Sequence, residues 1–398
     1  NRCDDAVVRP ISVGESKLLP IRRSRGYAPF PVRLMEEMRP VLAVGGELKA
    51  TFCLTKGAFG YMSQHIGDME NWETLEAFGT AVRHFQHLFR VEVEGVACDL
   101  HPGYLGTGWA QVYAAEKGVP LIEIQHHEAH IASVMAEHRL GEDERVIGFA
   151  FDGTGYGRDG AIWGGEVLVG GYAGFERPYH LAYTPLAGGD VSVKRPYRLA
   201  LAQLWAAGIG WDERLPAVRA CPAAERQVLR QQLERDLNCV PTSSMGRLFD
   251  AVAALAGGRQ MITYEGQAAI ELEALVDLSV RESYKFEIGS EVFSAVPLIR
   301  GVVEDVIRGV RLPVIGAKFH NGVTRLIVEL SNRVRAQSGL TKVALSGGVF
   351  QNVTLLEKTV QMLEKEGFRP LIHERVPPND GGLALGQAVL AEKQLVHG

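Results

Sequence analysis

With 398 residues, 46% of them hydrophobic, the chain has material for two or three globular units with cores of their own. A net charge of −5, both signs interspersed and no basic arm or arginine-rich patch, sets nucleic-acid binding aside. No apolar run nears the ~20 residues of a membrane helix, no signal peptide is visible, and five scattered cysteines without a C-x-x-C read as reduced thiols of a cytoplasmic protein.

The chain opens at Asn1, without methionine, in charged extended sequence, which suggests a fragment of something longer. Residues 1–30 are too few and too charged to fold alone, and read as a linker or as the tail of an upstream domain. From Val41 the pattern changes: Val41-Leu42-Ala43-Val44, Gly45-Gly46 and Glu47 to Leu54 predict strand, glycine turn and strand, a hairpin. Asn71 to Arg90 carries Trp72, Leu75, Phe78, Val82, Phe85 and Phe89 at helical spacing, with His84 and His87 as ordinary members of that helix. Val96 to Leu100 reads as a short strand entering the loop His101-Pro102-Gly103, and a helix through Ala110–Lys117 follows.

Leu121-Ile122-Glu123-Ile124 then predicts a buried strand that ends at a helix start, Gln125-His126-His127-Glu128-Ala129-His130. His126 and His130 are four apart, so on a helix they share one face with Cβ atoms ~5–6 Å apart, close enough for both to hold one metal ion. The plain alternative is a histidine-rich helix start with capping and packing roles. The spacing is not H-E-x-x-H, so a peptidase has no support.

The same order of signals recurs. Arg145 to Phe151 predicts a strand running into the glycine-rich turn Asp152-Gly153-Thr154-Gly155-Tyr156-Gly157, with Ala161 to Val169 as the returning strand. Val343 to Asn352 repeats strand, loop and helix start, and Pro370-Leu371-Ile372-His373-Glu374 parallels Pro120 to Ile124. The gap between the last two strands nearly matches in both copies, whereas the earlier gap is far longer in the second. That places a helical insertion at about 190–330 in a duplicated α/β unit folded around a cleft. Ligand crevices of such sheets lie beyond the carboxyl ends of the strands. His126 follows the outer strand of copy one and Asp380, in Pro377-Pro378-Asn379-Asp380-Gly381-Gly382, follows its counterpart. Asp152 ends another strand and adds a fourth candidate ligand. Two imidazoles and two carboxylates suit Zn²⁺ or Fe²⁺. Asp152 to Gly157 and Gly347-Gly348 offer backbone N–H groups suited to phosphate, a weak signal singly and a stronger one at matched places. Neither a P-loop nor a Rossmann fingerprint is present.

Four of these segments, Gln125 to His130, Phe151 to Gly157, Leu345 to Asn352 and Pro378 to Gly382, resemble the carboxy-terminal part of the HypF carbamoyltransferases of nickel–iron hydrogenase maturation. The resemblance implies an α/β fold of the duplicated ASKHA (actin/Hsp70/sugar kinase-like) type, Kae1-like, with a helical insertion in the second half. It divides the chain into the tail of a truncated YrdC-like domain (1–34), a first Kae1-like subdomain (35–140) and a second (141–398). It implies His126, His130, Asp152 and Asp380 as ligands of one divalent metal. Gly153, Thr154, Gly155, Gly347, Gly348 and Asn352 would bind nucleotide or carbamoyl phosphate, with Ser244, Gly246 and Asp250 of the segment Ser244 to Asp250 alongside. Relatives often carry an acidic residue near the first of these last positions, where Ser244 stands here. The activity implied is use of carbamoyl phosphate and ATP, by way of carbamoyl-adenylate with AMP or ADP as product, to carbamoylate the C-terminal cysteine of HypE, a precursor of the cyanide ligands. No cysteine of the chain sits in a nucleophile's setting. Rival readings are a Kae1-type tRNA threonylcarbamoyltransferase, disfavoured by the charge, an antibiotic-type O-carbamoyltransferase, disfavoured by domain order, and a nucleotide-gated docking module.

Overall fold

A computed structural model describes residues 3–397. The amino-terminal stretch is not extended linker: β1 (Val7–Val13) and β2 (Glu15–Arg22) pair as an antiparallel hairpin. Ile11, Val13 and Leu19 are buried in the same core as Phe350, Leu355 and Val360 from the far end of the chain. The charge that marks this stretch in the sequence lies on the hairpin's other positions.

The first half builds one sheet. β3 (Val32–Met38), β4 (Val41–Ala43), β5 (Cys53–Met62), β6 (Gly95–Asp99) and β7 (Leu121–Ile124) lie in the order β3-β5-β4-β6-β7. β4 runs antiparallel to β5 and parallel to β6, and β6 parallel to β7. The crossovers are α1 (Trp72–Phe89), capped by the Asn71 side chain, and α2 (Leu105–Lys117), which starts earlier than its sequence suggests. The glycine pair of the expected hairpin does not make a tight turn. Val44 to Phe52 is a longer loop, in which Gly45 has φ +78° and a Cβ there would sit 2.5 Å from the Thr51 carbonyl oxygen. That close approach needs glycine. Gly45 exchanges two hydrogen bonds with the Gln387 side chain, donating at 2.8 Å and accepting at 3.1 Å, so the loop is tied to the opposite half. α3 (His126–Glu137) follows β7.

The second half repeats the plan. After β8 (Val146–Tyr156), β9 (Ile162–Gly171) and β10 (Gly174–Leu181) comes the helical insertion: β11 (Thr184–Ala187), α4 (Asp190–Val193), α5 (Pro196–Ala206), α6 (Pro216–Ala220), α7 (Ala223–Arg235), β12 (Cys239–Thr242), α8 (Met245–Leu255), α9 (Gln267–Ala274), β13 (Glu287–Ile288), β14 (Val292–Ser294), α10 (Val296–Ile307) and α11 (Leu312–Ser338). β15 (Lys342–Ser346), α12 (Val353–Lys365), β16 (Arg369–Leu371) and α13 (Leu383–His397) complete the chain. The main path of this nine-stranded sheet contains β10-β9-β8-β15-β16, with the directions of the first copy. One difference remains: the edge place beside β5 is filled by β3, which precedes its unit, whereas β10 follows β9. β8 also runs further than expected. Asp152 to Tyr156 belongs to the strand, with the register shifting between Phe151 and Gly155.

α3 and α13, the helices that follow the last strand of each copy, pack on one another in a core fed by both sheets. At their crossing a Cβ on Gly386 would lie 1.8 Å from the Ala129 carbonyl oxygen, and Ser133 Oγ donates to the Gly382 carbonyl at 2.8 Å. None of the described helices is long and apolar enough to cross a membrane.

Candidate metal centre and nucleotide cavity

α3 begins where the histidines begin because Gln125 caps it, its side-chain oxygen accepting from the N–H groups of His127 and Glu128 at 2.7 and 3.0 Å. This sets His126 and His130 one turn apart with ring centroids 4.9 Å from each other. The copy-two strand β8 brings Asp152 up to them, and the turn before α13 brings Asp380. His126 Nε2 lies 3.5 Å from Asp152 Oδ2 and 3.6 Å from Asp380 Oδ1, while His130 Nε2 lies 3.8 and 3.5 Å from the same two atoms. One ligand atom from each of the four residues falls within 4.8 Å of all the others.

Both Nε2 atoms are buried and lack a hydrogen-bond partner, the mark of a site whose bonds are meant for something else. Two imidazole nitrogens and two carboxylate oxygens are the donor set of a borderline first-row dication, so the residues fit Zn²⁺ or Fe²⁺. The electrostatics agree. Burial opposes ionisation of Asp152, yet the facing His126 and His130 rings hold it well below the usual carboxylate range. Burial likewise opposes charge on His126, but Asp99 and Asp380 lift it well above the usual imidazole range. The two carboxylates thus call for positive charge, which a bound dication would supply in place of protons.

Asp99, at the end of β6, was not singled out by sequence reasoning. Its Oδ2 sits 2.7 Å from His126 Nδ1, and its Oδ1 accepts from the His101 N–H at 2.9 Å. A carboxylate on the far ring nitrogen fixes a ligand histidine's tautomer and orientation. The sole sequence signal was an aspartate closing a strand; Asp152, expected to close one too, lies inside β8. His127, between the ligands, turns elsewhere: its Nδ1 faces the Gln125 amide at 3.2 Å, and burial pushes it well below the usual imidazole range.

Beside the four donors opens a cavity of about 580 Å³, and Asp152 lines it as well. Of the residues expected at a nucleotide, Gly153, Gly246, Asp250, Gly348 and Asn352 line this space. The others stand apart from the lining. Thr154 is exposed, and Gly155 leaves room for the histidines, since a Cβ there would meet His127 Cε1 at 2.4 Å and His126 Cδ2 at 2.8 Å. Ser244 caps α8, its Oγ accepting from the Arg247 N–H at 3.1 Å and reaching the carbonyls of Asp152 and Gly153 at 2.8 Å each. Gly347, at φ +98°, passes so close to Phe151 that a Cβ would lie 2.3 Å from its carbonyl oxygen.

The cavity also holds other charges, of which the sequence had marked only Asp250. Arg247 and Asp250 are both buried, 3.3 Å apart, with Arg247 Nε and Nη1 and both Asp250 oxygens lacking hydrogen-bond partners. Arg9 of the hairpin reaches across to Glu273 with two hydrogen bonds of 2.7 and 3.0 Å and to the Gln351 carbonyl at 3.0 Å. Lys49 pairs with Glu265 on the same wall. Arg247 and Asp250 are one turn apart on α8, whereas the Arg9 and Lys49 pairs are long-range, brought together by tertiary structure alone.

A twice-repeated β-sheet unit that closes a metal-type cluster and a nucleotide-sized cavity between its copies defines a Kae1-like protein. Comparison with known families and structures agrees: residues 36–137 match the HypF Kae1-like domain, and residues 148–387 the second subdomain of the carbamoyltransferase Kae1-like domain. The chain belongs to the HypF carbamoyltransferase family. It is 38% identical to carbamoyltransferase HypF of Synechocystis sp., across 96% of this chain and 51% of that protein. It is also 38% identical to a carbamoyltransferase HypF homolog of Cupriavidus necator, across 89% of this chain and 92% of that one. A crystal structure of full-length HypF in a phosphate- and nucleotide-bound form superposes with a TM-score of 0.92 at 44% identity, over 99% of this chain and 61% of the other. The chain spans about half the length of most of the curated relatives it matches.

Proposed function

We propose that the chain is the transfer half of a cytoplasmic carbamoyltransferase of nickel–iron hydrogenase maturation. In this reading ATP and carbamoyl phosphate give carbamoyl-adenylate with the help of a YrdC-like domain, of which residues 1–34 are the end. The cavity receives the adenylate, and the carbamoyl group passes to the C-terminal cysteine of HypE as precursor of the cyanide ligands. The observation that carries the reading is the shared wall: Asp152 belongs to the four-donor cluster and to the cavity lining at once.

A divalent ion such as Zn²⁺ or Fe²⁺ on His126, His130, Asp152 and Asp380 would supply positive charge for a phosphate or carbonyl oxygen. The chain's own residues do the rest. Gly153, Gly246 and Gly348 line the cavity without side chains, so phosphates can come up to the backbone. The unpaired nitrogens of Arg247 offer donors to an anion, and the unpaired oxygens of Asp250 offer acceptors to ribose hydroxyls. Asn352 lines the same space, Gly347, Gly155 and Ser244 stand behind it, and Thr154 is exposed outside it.

The chain's cysteines support an acceptor on another protein. None lines the cavity, and burial pushes the thiols of Cys53 and Cys98 up to about 12 and that of Cys221 to about 11. A thiol so held is a poor nucleophile. The attacking thiolate is therefore the partner's: its sulfur bonds to the carbamoyl carbon, the bond from that carbon to the phosphate oxygen breaks, and AMP leaves with the electron pair. The test is intact-mass spectrometry of HypE after incubation with this chain and carbamoyl-adenylate. The reading expects one carbamoyl group on the HypE C-terminal cysteine. Modification of Cys53 or Cys98 with HypE unchanged would refute it.

A further inference from the structure

The two ligand histidines are held by different means. His126 meets a carboxylate directly, at Asp99. His130 Nδ1 instead faces Ser346 Oγ at 3.4 Å, Ser346 Oγ lies 2.8 Å from His373 Nε2, and His373 Nδ1 lies 2.6 Å from Glu137 Oε1. All four side chains are buried, with exposures of 0% for Ser346, 1% for His130, 2% for His373 and 1% for the Glu137 side chain. We propose that Glu137, His373 and Ser346 are positioning residues of the metal site, a relay in which Ser346 accepts from His130 Nδ1 and donates to His373, whose far nitrogen faces the Glu137 carboxylate, so that His130 presents Nε2 as a metal donor beside Asp152 and Asp380.

The direction follows from what each group can give. Glu137 is fixed at the end of α3, its Oε2 accepting from the Arg375 N–H at 2.8 Å and from those of Glu374 and Val376 at 3.3 and 3.4 Å. A carboxylate only accepts, so a ring nitrogen 2.6 Å from it must carry hydrogen. The contact is a close approach rather than a straight hydrogen bond. In its neutral form the His373 ring then presents a lone pair at Nε2. Ser346 has one hydroxyl hydrogen and three groups in reach that could take it, His373 Nε2 at 2.8 Å, His130 Nδ1 at 3.4 Å and the Pro378 carbonyl at 3.5 Å, and the nearest takes it. With its hydrogen so placed, Ser346 Oγ can only accept from His130, whose Nδ1 therefore bears the hydrogen. In a neutral imidazole the other nitrogen is then the metal donor. The relay also spans the molecule: Glu137 ends α3, Ser346 ends β15, and His373 follows β16.

Partners behind a ligand histidine typically govern 10–100-fold in metal affinity. The test is a Zn²⁺ titration against a chromophoric chelator for wild type, Ser346→Ala and Glu137→Gln. Alongside it, the melting temperature of each protein is recorded, and Ser346→Thr, which keeps the hydroxyl, is titrated as the conservative variant. The inference expects a loss of Zn²⁺ affinity of about 10-fold or more in Ser346→Ala and Glu137→Gln, and recovery in Ser346→Thr. If Glu137→Gln does not fold, Ser346→Ala carries the comparison. Variants that melt earlier but keep wild-type Zn²⁺ affinity would overturn the inference, because that is the behaviour of mere packing. The inference rests on the four-residue metal reading, and the two fail differently. If wild type takes no Zn²⁺, the metal reading falls and takes the relay with it; if wild type takes Zn²⁺ and the variants bind it equally well, the relay alone falls.

Discussion

Asp250 carries a buried carboxyl into the cavity wall, and no hydrogen bond meets either oxygen. Burial, with Glu265 adding repulsion, pushes its pKa up to about 6 despite Arg247 nearby, from an ordinary 3.8. Between those two values the folded chain holds the proton that the unfolded chain has lost, so folding stability falls as pH rises. At about 1.4 kcal/mol for each unit of pKa, the cost levels off near 3 kcal/mol above pH ~6. Asp250→Asn should remove it. Urea unfolding of the variant should match wild type near pH 3 and exceed it by roughly 3 kcal/mol at pH 7. Parallel pH profiles for the two proteins would show that the carboxyl is not destabilised by its site. A group kept at such a cost in the free protein is what a ligand-binding wall requires.

Among the elements, the crossing of α3 and α13 decides the site. α3 carries His126 and His130, and α13 follows directly on Asp380. Gly386→Ala would place a methyl 1.8 Å from the Ala129 carbonyl oxygen, so the helices must part. Overpacking of this kind costs roughly 1–3 kcal/mol or more. Because the displaced helices hold the ligands, a lower melting temperature should come with weaker Zn²⁺ binding in a chelator titration. An unchanged melting temperature with unchanged affinity would mean that the crossing yields easily and does not hold the cluster. This dependence on one glycine was invisible in the sequence, where Gly386 sits in an ordinary helical run. Gly155 shows the converse. In the sequence it belongs to a phosphate-type loop, but its missing side chain serves the rings of His126 and His127.

At the scale of the whole molecule, the duplication was legible because each copy repeats strand, loop and helix start within a few residues. The four-residue cluster was legible as a candidate because His126 and Asp380 stand at matched strand ends. What stayed hidden depends on pairing between distant segments. Asp99 gains a role when β6 aligns beside β7 and brings it to His126. His373 and Glu137 gain theirs when copy two is laid against α3. The amino-terminal hairpin looked like a charged tail because its apolar positions, Ile11, Val13 and Leu19, are covered only once β1 lies against α12 at the far end of the chain. The account stands on the two halves closing on one ion. Zinc per chain, counted by atomic mass spectrometry after loading and gel filtration, should be one for wild type and none for His130→Ala or Asp380→Ala, each folded by circular dichroism. Stoichiometric zinc retained by either variant, or none on wild type, would contradict it.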